Sequence, residues 1–275
     1  MDTIIDVNSL YHLIKSQDPN LLIIDTRPFS DYVNGHIPDA LNLDFMNFHW
    51  LDTTEEGIIQ FNKQMKILIN YLGIDSNKFV VFYDDVSGYS ASRGVWLLHY
   101  FSHRNVSILD GGYKQWLKSN YPIEIKTNSN VISKFEYTIN KKVIADAEYI
   151  RKRLEKKTND MVIIDCRSEM EYDGTIARAS KKGHIPQAIN INWINNLENE
   201  KFNDSEKLYQ LYSFIPKDKE IITYCHGGYR AANTYLVLKK LGYHDVKMYL
   251  GSWGEWGNLN DFPIELFPYL CHLIL

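Results

Sequence analysis

The apolar run Leu21-Leu22-Ile23-Ile24-Asp25-Thr26-Arg27 returns 140 residues later as Met161-Val162-Ile163-Ile164-Asp165-Cys166-Arg167. Each copy has the length and the aliphatic content of a short buried strand, and each ends in the same polar Asp-x-Arg. The repeat indicates that the chain of 275 residues contains one structural unit twice.

Further pairs support this duplication. The stretch Gly35-His36-Ile37-Pro38-Asp39-Ala40-Leu41-Asn42 returns as Gly183-His184-Ile185-Pro186-Gln187-Ala188-Ile189-Asn190, and Gly111 and Trp116 return as Gly251 and Trp256. A feature present in both halves is interpreted as part of the fold, whereas a feature present in one half is a candidate for chemistry. On this argument His36 and His184 belong to a structural turn, and Asp25 and Asp165 pair with the nearby arginines.

Each half shows the same order of predicted elements. A helix (7–16 or 147–156) precedes the quoted strand, a polar helical stretch follows, and a second strand ends at Tyr83 or Tyr224; another helix (91–101 or 231–241) leads to a third strand (106–109 or 246–249). Short apolar strands alternating with helices are typical of mostly parallel sheets flanked by helices, the α/β class. We expect two such domains, 1–125 and 143–275, joined by a polar linker, 126–142, in which the alternation at 135–139 favours an edge strand.

The composition argues against several classes of partner and cellular location. The net charge of −4 argues against nucleic acid or an anionic membrane as a partner, and no apolar run reaches the roughly 20 residues that span a bilayer. Three cysteines do not make a disulfide framework, and the first residues lack the pattern of a signal peptide. We therefore expect a reducing, cytoplasmic setting. The Cys and His spacings do not suit zinc, and no metal or organic cofactor is implied.

The loop Tyr224-Cys225-His226-Gly227-Gly228-Tyr229-Arg230 breaks the symmetry, because the first half has Asp84 where the second has Cys225. Two glycines are expected to curl the backbone with positive φ, so that amide N–H groups turn inward at the start of a helix. Arg230 would add a fixed charge and His226 a partial one. These features favour a thiolate, the nucleophilic form of cysteine.

Other interpretations of the loop stay open at this point. Cys225 could be a buried, inert residue at a strand end. A phosphatase or arsenate reductase is the alternative enzyme, although phosphatases place five residues between cysteine and arginine and this loop has four. Cys166, aligned with Thr26, is interpreted as a small buried side chain rather than a second working thiol. Trp253, aligned with Tyr113, is a candidate for lining the pocket.

The order and doubling of these motifs resemble the two-domain rhodanese family of thiosulfate and 3-mercaptopyruvate sulfurtransferases. The resemblance covers nearly the whole chain and rests on Asp165-x-Arg167, Gly183-His184-Ile185-Pro186, Tyr224-Cys225-x-x-Gly228-x-Arg230 and Gly251-Ser252-Trp253-x-x-Trp256. It implies a tandem of rhodanese-like domains, the first inactive. It also implies that Cys225 carries a persulfide, surrounded by the amides of His226, Gly227, Gly228, Tyr229 and Arg230.

By this resemblance the protein is an enzyme, a sulfurtransferase that moves sulfur from thiosulfate to cyanide or a thiol. The alternatives are 3-mercaptopyruvate as donor, or a sulfur-relay or regulatory module that a partner protein loads. One departure affects the donor: many two-domain members have an arginine for the substrate anion just before the position of Tyr172, where this chain has Glu171. We expect Arg230, together with Arg178 in an insertion found only in the second half, to bind the anion instead.

Overall fold

The computed structural model describes residues 3–129, 131–156 and 159–266, and both halves fold in the predicted order. The first half contains β1 (Ile4–Ile5), α1 (Val7–Lys15), β2 (Leu21–Asp25), α2 (Phe29–Asn34), β3 (Leu41–Asn42), α3 (Glu55–Tyr71), β4 (Phe79–Tyr83), α4 (Tyr89–Tyr100), β5 (Val106–Leu109) and α5 (Gly112–Lys118). The second contains β6 (Ile144–Ala145), α6 (Ala147–Glu155), β7 (Met161–Asp165), α7 (Glu169–Tyr172), β8 (Ile189–Asn190), β9 (Leu197–Glu198), β10 (Lys201–Phe202), α8 (Ser205–Tyr212), β11 (Glu220–Tyr224), α9 (Tyr229–Lys240), β12 (Val246–Tyr249) and α10 (Ser252–Trp256). Short 3₁₀ turns lie at Phe45–Phe48, Lys141–Val143 and Trp193–Asn196.

Each half forms a parallel sheet of five strands, in the orders β1-β5-β4-β2-β3 and β6-β12-β11-β7-β8. Equivalent pairs keep equivalent registers, with Ile24 opposite Phe82 in one sheet and Ile164 opposite Thr223 in the other. The quoted apolar runs lie next to the central strands, where helices cover both faces, and this explains why they do not alternate with polar residues. The predicted α/β class and the duplicated sheet are confirmed.

Helix ends follow from capping side chains. The carboxylates of Asp6, Asp146 and Asp204 accept backbone N–H groups at the starts of α1, α6 and α8. In α7 the capping box is complete, because Ser168 and Glu171 each accept from the other's backbone or hydroxyl group. This short helix fixes Glu171 next to the cysteine loop.

The two halves share one apolar core. Helices α4 and α9 pack directly against each other, and Val95 and Trp96 belong to the same buried cluster as Leu236 and Val237. Polar contacts cross the same boundary: the carboxylate of Glu255 accepts hydrogen bonds from the amide and the hydroxyl of Thr53, at 2.6 and 2.7 Å. A cleft between the halves therefore has fixed walls.

The expected edge strand at 135–139 is wrong, because these residues have no ladder partner in the part of the chain that the structure describes. The backbone is held by Asn70 instead, whose carbonyl accepts from Ser133 N–H and whose side-chain oxygen accepts from Phe135 N–H. The alternation buries the ring of Phe135 and part of Tyr137 against the first half. The alternation at 135–139 therefore indicates that one face of the segment is buried, and not that the segment pairs with a strand.

Within these ranges, no helix has both the length and the apolar character needed to cross a bilayer. The apolar segment 267–275, which includes Cys271, lies outside the described residues.

Candidate active site

Cys225 is the first residue after β11, where the carboxyl ends of the parallel strands meet, and its side chain is buried. Its backbone is tied to the start of α10: Cys225 N–H donates to Ser252 Oγ at 3.2 Å, and the Cys225 carbonyl accepts from Trp253 N–H at 3.0 Å. The His226 carbonyl accepts from Gly254 N–H at 2.7 Å. These bonds hold the loop in one conformation without using the thiol.

The two glycines of the loop serve different purposes. Gly228 has φ = +82° and is the residue before α9, so the helix starts at Tyr229, two residues earlier than the sequence predicts. Gly227 does not have positive φ, and that part of the prediction is wrong. It has to be glycine for space, since a side chain there would overlap the imidazole of His49, which comes from the first half.

The first half shows what this kind of loop binds. Asp84 follows β4 as Cys225 follows β11, and its carboxylate turns into its own loop to accept the N–H groups of Asp85, at 2.8 Å, and Ser90, at 3.2 Å. Burial raises the pKa of Asp84 to about 6 even though these two donors oppose the shift. The duplicate loop therefore already holds an anion, its own side chain.

In the second half the corresponding amides are free for a different anion. Among the described residues, none accepts a hydrogen bond from the N–H groups of His226, Gly227, Gly228, Tyr229 or Arg230. The strand-to-helix connection is also one residue shorter, 225–228 against 84–88. These donors and the N-terminus of α9 lie in the loop that carries Cys225 and are available to an anion.

A cleft of about 280 Å³ opens above the loop between the two halves. Its lining consists of Met46, His49, Tyr89, Arg178, Cys225, His226, Gly227, Tyr229 and Arg230. The ring of Tyr229 stacks on His49 with the ring centroids 5.6 Å apart, and its hydroxyl donates to the Phe45 carbonyl at 2.6 Å. All the predicted site residues except Gly228 thus line one cleft, and the first half supplies the facing wall.

His226 contributes no positive charge, contrary to the expectation from sequence. Burial, with smaller effects from His49 and Arg230, lowers the pKa of His226 to about 4. Burial also lowers the pKa of His49. The imidazole of His226 is therefore neutral at pH 7, and its Nδ1 is buried without a partner in the described structure.

Arg230 lies at the cleft but is paired. Its guanidinium donates to both carboxylate oxygens of Glu171, at 2.6 and 3.0 Å. Arg178, whose side chain is 58% exposed, lies 3.5 Å from the same carboxylate. Burial alone would raise the pKa of Glu171, but the bonds and charge of Arg230 outweigh it and lower that pKa to about 2. The three side chains form a cluster with one net positive charge beside Cys225.

The repeated motifs lie away from the cleft, as their presence in both halves predicts. Arg27 and Arg167 each form a bidentate pair with the aspartate two residues earlier and also donate to a glycine carbonyl. His36 and His184 stack on tyrosines in buried turns. Trp253 is not part of the cleft lining, because its ring packs against the guanidinium of Arg167 at 4.6 Å in the core.

Cys166 is next to Cys225 in the sheet but has a different environment. Its N–H donates to the Tyr224 carbonyl at 2.8 Å, its side chain is fully buried, and burial raises its pKa well above the usual range. The expectation of a small buried side chain is confirmed. Within residues 3–129, 131–156 and 159–266 there is no group of three or more His, Cys, Asp or Glu side chains placed to hold a metal ion.

Sequence reasoning missed three residues of the site. His49 follows a short 3₁₀ turn in the first half and has no motif around it. Arg93 lies in α4 and extends to the underside of the loop. Ser252 could have been found, because it stands where the first half has Gly112; both have positive φ, at +53° and +55°. The hydroxyl of this strained serine accepts the N–H of Cys225.

A thiol in a loop of free amide donors, within a duplicated five-stranded parallel fold, defines a class of proteins. Residues 6–119 and 146–259 each match the model of the rhodanese-like domain. The chain belongs to the rhodanese family.

Three known proteins are similar over most of this chain. The thiosulfate sulfurtransferase of Pseudomonas aeruginosa is 33% identical over 252 residues, which cover 90% of this chain and 92% of that protein. The sulfur carrier protein TtuD of Thermus thermophilus is 30% identical over 263 residues, with coverage of 90% and 92%. The crystal structure of SseA from Escherichia coli, a 3-mercaptopyruvate sulfurtransferase, has a TM-score of 0.78 at 25% identity and covers 92% of this chain and 99% of that one.

Proposed function

We propose that this sulfurtransferase takes the outer sulfur of thiosulfate onto Cys225 and passes it to cyanide or to a thiol. The observation that carries the proposal is the loop after Cys225: the amides of residues 226–230 have no acceptor among the described residues, whereas the duplicate loop is filled by the Asp84 carboxylate. The similarity to the thiosulfate sulfurtransferase of Pseudomonas aeruginosa supports the choice of donor.

The transfer needs two displacements. The Cys225 thiolate attacks the outer sulfur of thiosulfate, a new S–S bond forms, and the original S–S bond breaks so that sulfite leaves with the electron pair. The product is a Cys225 persulfide anion. Cyanide then attacks the terminal sulfur, thiocyanate leaves, and the thiolate is restored. No oxidant or cofactor enters either step.

The loop suits the anion at each stage. In this proposal the five amide N–H groups of residues 226–230 and the N-terminus of α9 bind the charged sulfur, and donors of this kind stabilise charge without having to reorganise. The cleft of about 280 Å³ is of a size for a small anion, with Arg178 at its exposed side and Arg230 deeper. A reducing, cytoplasmic setting would suit this chemistry, since it keeps the Cys225 thiol free.

Two other sulfur sources stay in view. The likeness to SseA supports 3-mercaptopyruvate, whose carboxylate could reach Arg178. The likeness to the sulfur carrier TtuD supports loading by a partner protein. Both use the same persulfide on Cys225, so the donor is the point to be tested.

The test is intact-protein mass spectrometry after separate incubation with thiosulfate and with 3-mercaptopyruvate. We expect thiosulfate to add one sulfur, about 32 Da, at the higher rate, and cyanide to remove it. Faster loading from 3-mercaptopyruvate would show that 3-mercaptopyruvate, and not thiosulfate, is the preferred donor. Loading from neither compound would contradict the small-molecule enzyme and leave the protein-fed relay.

The charge of Glu171 is expected to weaken donor binding. In Glu171→Gln the capping box of α7 can persist, because glutamine also fits that position, but Arg230 and Arg178 lose their shared counter-charge. We predict a KM for thiosulfate lower by roughly threefold to tenfold, with kcat changed much less, since one charge beside a solvent-open cleft is worth about 1 kcal/mol. Steady-state kinetics of thiocyanate formation measures both constants.

Glu169→Gln is the matched control for that variant. It removes the same charge from the same helix, but Glu169 is exposed and, among the described residues, forms no ion pair with Arg230 or Arg178. Its KM should stay within about twofold of wild type at moderate ionic strength, because a distant exposed charge is screened. Equal KM values for the two variants would contradict the assignment of Arg230 and Arg178 to the donor anion.

A further inference from the structure

Arg93 is a buried arginine in the half that lacks the thiol. It is the fifth residue of α4, its side chain is 3% exposed, and no carboxylate of the described residues forms an ion pair with it. Its guanidinium carbon lies 4.5 Å from the centre of the Trp96 ring, and its Nη1 lies 3.7 Å from Met248 Sδ. A buried cation held by aromatic and sulfur contacts alone is costly unless an anion lies near it.

The guanidinium lies against the underside of the cysteine loop. It is 5.4 Å from the centre of the Tyr229 ring, and a methyl group placed on Gly228 would come within 2.7 Å of Nη1. Gly228 is therefore glycine for two reasons, its positive φ and the approach of this arginine.

The duplication makes this contact informative. Asn233 is the fifth residue of α9, the position equivalent to Arg93, and it reaches across in the opposite direction. Its amide donates to the Ser87 carbonyl at 2.9 Å, in the loop that follows Asp84. The side chain of Arg93 in α4 thus lies beneath the Cys225 loop, and the side chain of Asn233 in α9 lies beneath the Asp84 loop. The side chain is neutral where it meets the Asp84 loop and cationic where it meets the Cys225 loop.

Charge balance distinguishes Arg93 from Arg230. Arg230 is paired with Glu171 through two hydrogen bonds, whereas Arg93 has no such partner within the described ranges. Burial lowers the pKa of Arg93 to about 10, while the Tyr229 hydroxyl and the Cys225 thiol act in the opposite direction. At pH 7 Arg93 is therefore a buried cation, and the Cys225 sulfur is within range of its charge.

We infer that Arg93, supplied by the half without the thiol, keeps Cys225 and its persulfide in the anionic form by acting through the loop from below. The inference rests on the proposed sulfurtransferase function and makes Arg93 a positioning residue, since it contacts the loop and not the donor. The other ionisable groups around Cys225 are Arg230 with Glu171 and Arg178 on the second half, His226, Tyr229 and Cys166 beside it, and His49 and Tyr89 from the first half.

The test is the pH dependence of Cys225 alkylation by iodoacetamide, followed by mass spectrometry of the intact full-length protein. Arg93→Met keeps the side-chain length and the apolar contacts but removes the charge. We expect the midpoint of the alkylation curve to rise by about one pH unit or more, and the rate at pH 7 to fall about tenfold. Arg93→Lys, which retains a charge, should stay closer to wild type than to Arg93→Met.

Controls separate charge from folding. Arg93→Gln also removes the charge but keeps polar donors, and it replaces Arg93→Met in the alkylation experiment if the methionine variant does not fold. Near-ultraviolet circular dichroism shows whether each variant is folded. Arg104→Met removes an exposed arginine from the same half and should leave the midpoint within about 0.2 units. A folded neutral variant of Arg93 with the wild-type midpoint would overturn the inference.

The same samples distinguish a failure of the proposed function from a failure of the role inferred for Arg93. If wild type fails to gain sulfur from thiosulfate and from 3-mercaptopyruvate, the proposed function fails whatever Arg93 does. If wild type loads normally and the neutral Arg93 variants load equally fast at pH 7, the function stands and the role of Arg93 is refuted.

Discussion

Cys225→Ser is expected to abolish sulfur transfer while leaving the fold unchanged. A serine hydroxyl is not ionised at pH 7 and does not form a stable product with sulfur, so neither displacement can begin. The thiol of Cys225 takes no part in the bonds that hold the loop, which run through its N–H and carbonyl groups to Ser252 and Trp253. We predict a fall in kcat/KM of at least about 10⁴-fold and no gain of mass with either donor.

Cys166→Ala is the matched control for this variant. Cys166 follows the neighbouring strand, is equally buried, and has its pKa raised by that burial. Its removal should lower turnover by no more than about twofold, and the added sulfur should still be found on Cys225. If Cys225→Ser still gained sulfur, or if Cys166→Ala no longer did, the sulfur-carrying residue would be Cys166 and not Cys225.

Glu255→Ala is expected to cause the largest loss of stability, because it removes the acceptor of three buried hydrogen bonds. The carboxylate accepts from the amide and the hydroxyl of Thr53 in the first half, and from the Tyr249 hydroxyl at 2.8 Å in the second. Each buried donor left without a partner costs about 1–3 kcal/mol. We predict a decrease of about 3–5 kcal/mol in the free energy of unfolding, measured by urea titration.

Two variants test whether the hydrogen bonds are responsible. Glu255→Gln keeps one of the two acceptor oxygens and should lose less stability than Glu255→Ala. Glu136→Ala removes an exposed carboxylate from the segment between the halves and should change the free energy of unfolding by less than about 0.5 kcal/mol. A loss in Glu255→Ala no greater than in Glu136→Ala would show that the Thr53–Glu255 contact does not hold the halves together.

The fold could be predicted from the sequence because the strands and helices of the two five-stranded sheets appear twice. Apolar runs such as Leu21–Asp25 mark central parallel strands, and their repetition removes the ambiguity of a short pattern. The segment 135–139 has no repeat, and there the alternation was misread as a strand. An alternating pattern shows that one face is buried, but it does not show whether the backbone has a pairing partner.

The site was predictable to the extent that it is local. Cys225 stands out because Asp84 replaces it in the other half, and the glycines next to it indicate a tight loop. The position of Arg93 could not be read, since its helix is apolar and its contact lies 135 residues away at Gly228. The pairing of Arg230 with Glu171 was equally hidden, because the sequence gives charges without distances. The reason for Gly227, space for His49, required the arrangement of the two halves.

The crossing of Arg93 and Asn233 bears on how such proteins can be recombined. The loop of each half contacts a side chain that the other half provides, so an exchange of halves at the predicted linker, 126–142, would separate both side chains from the loops they contact. A chimera that joined this first half to a relative's second half would place the helix and loop of that relative against α4 and Arg93. Productive exchanges would have to move α4 and α9 together, as one inherited unit.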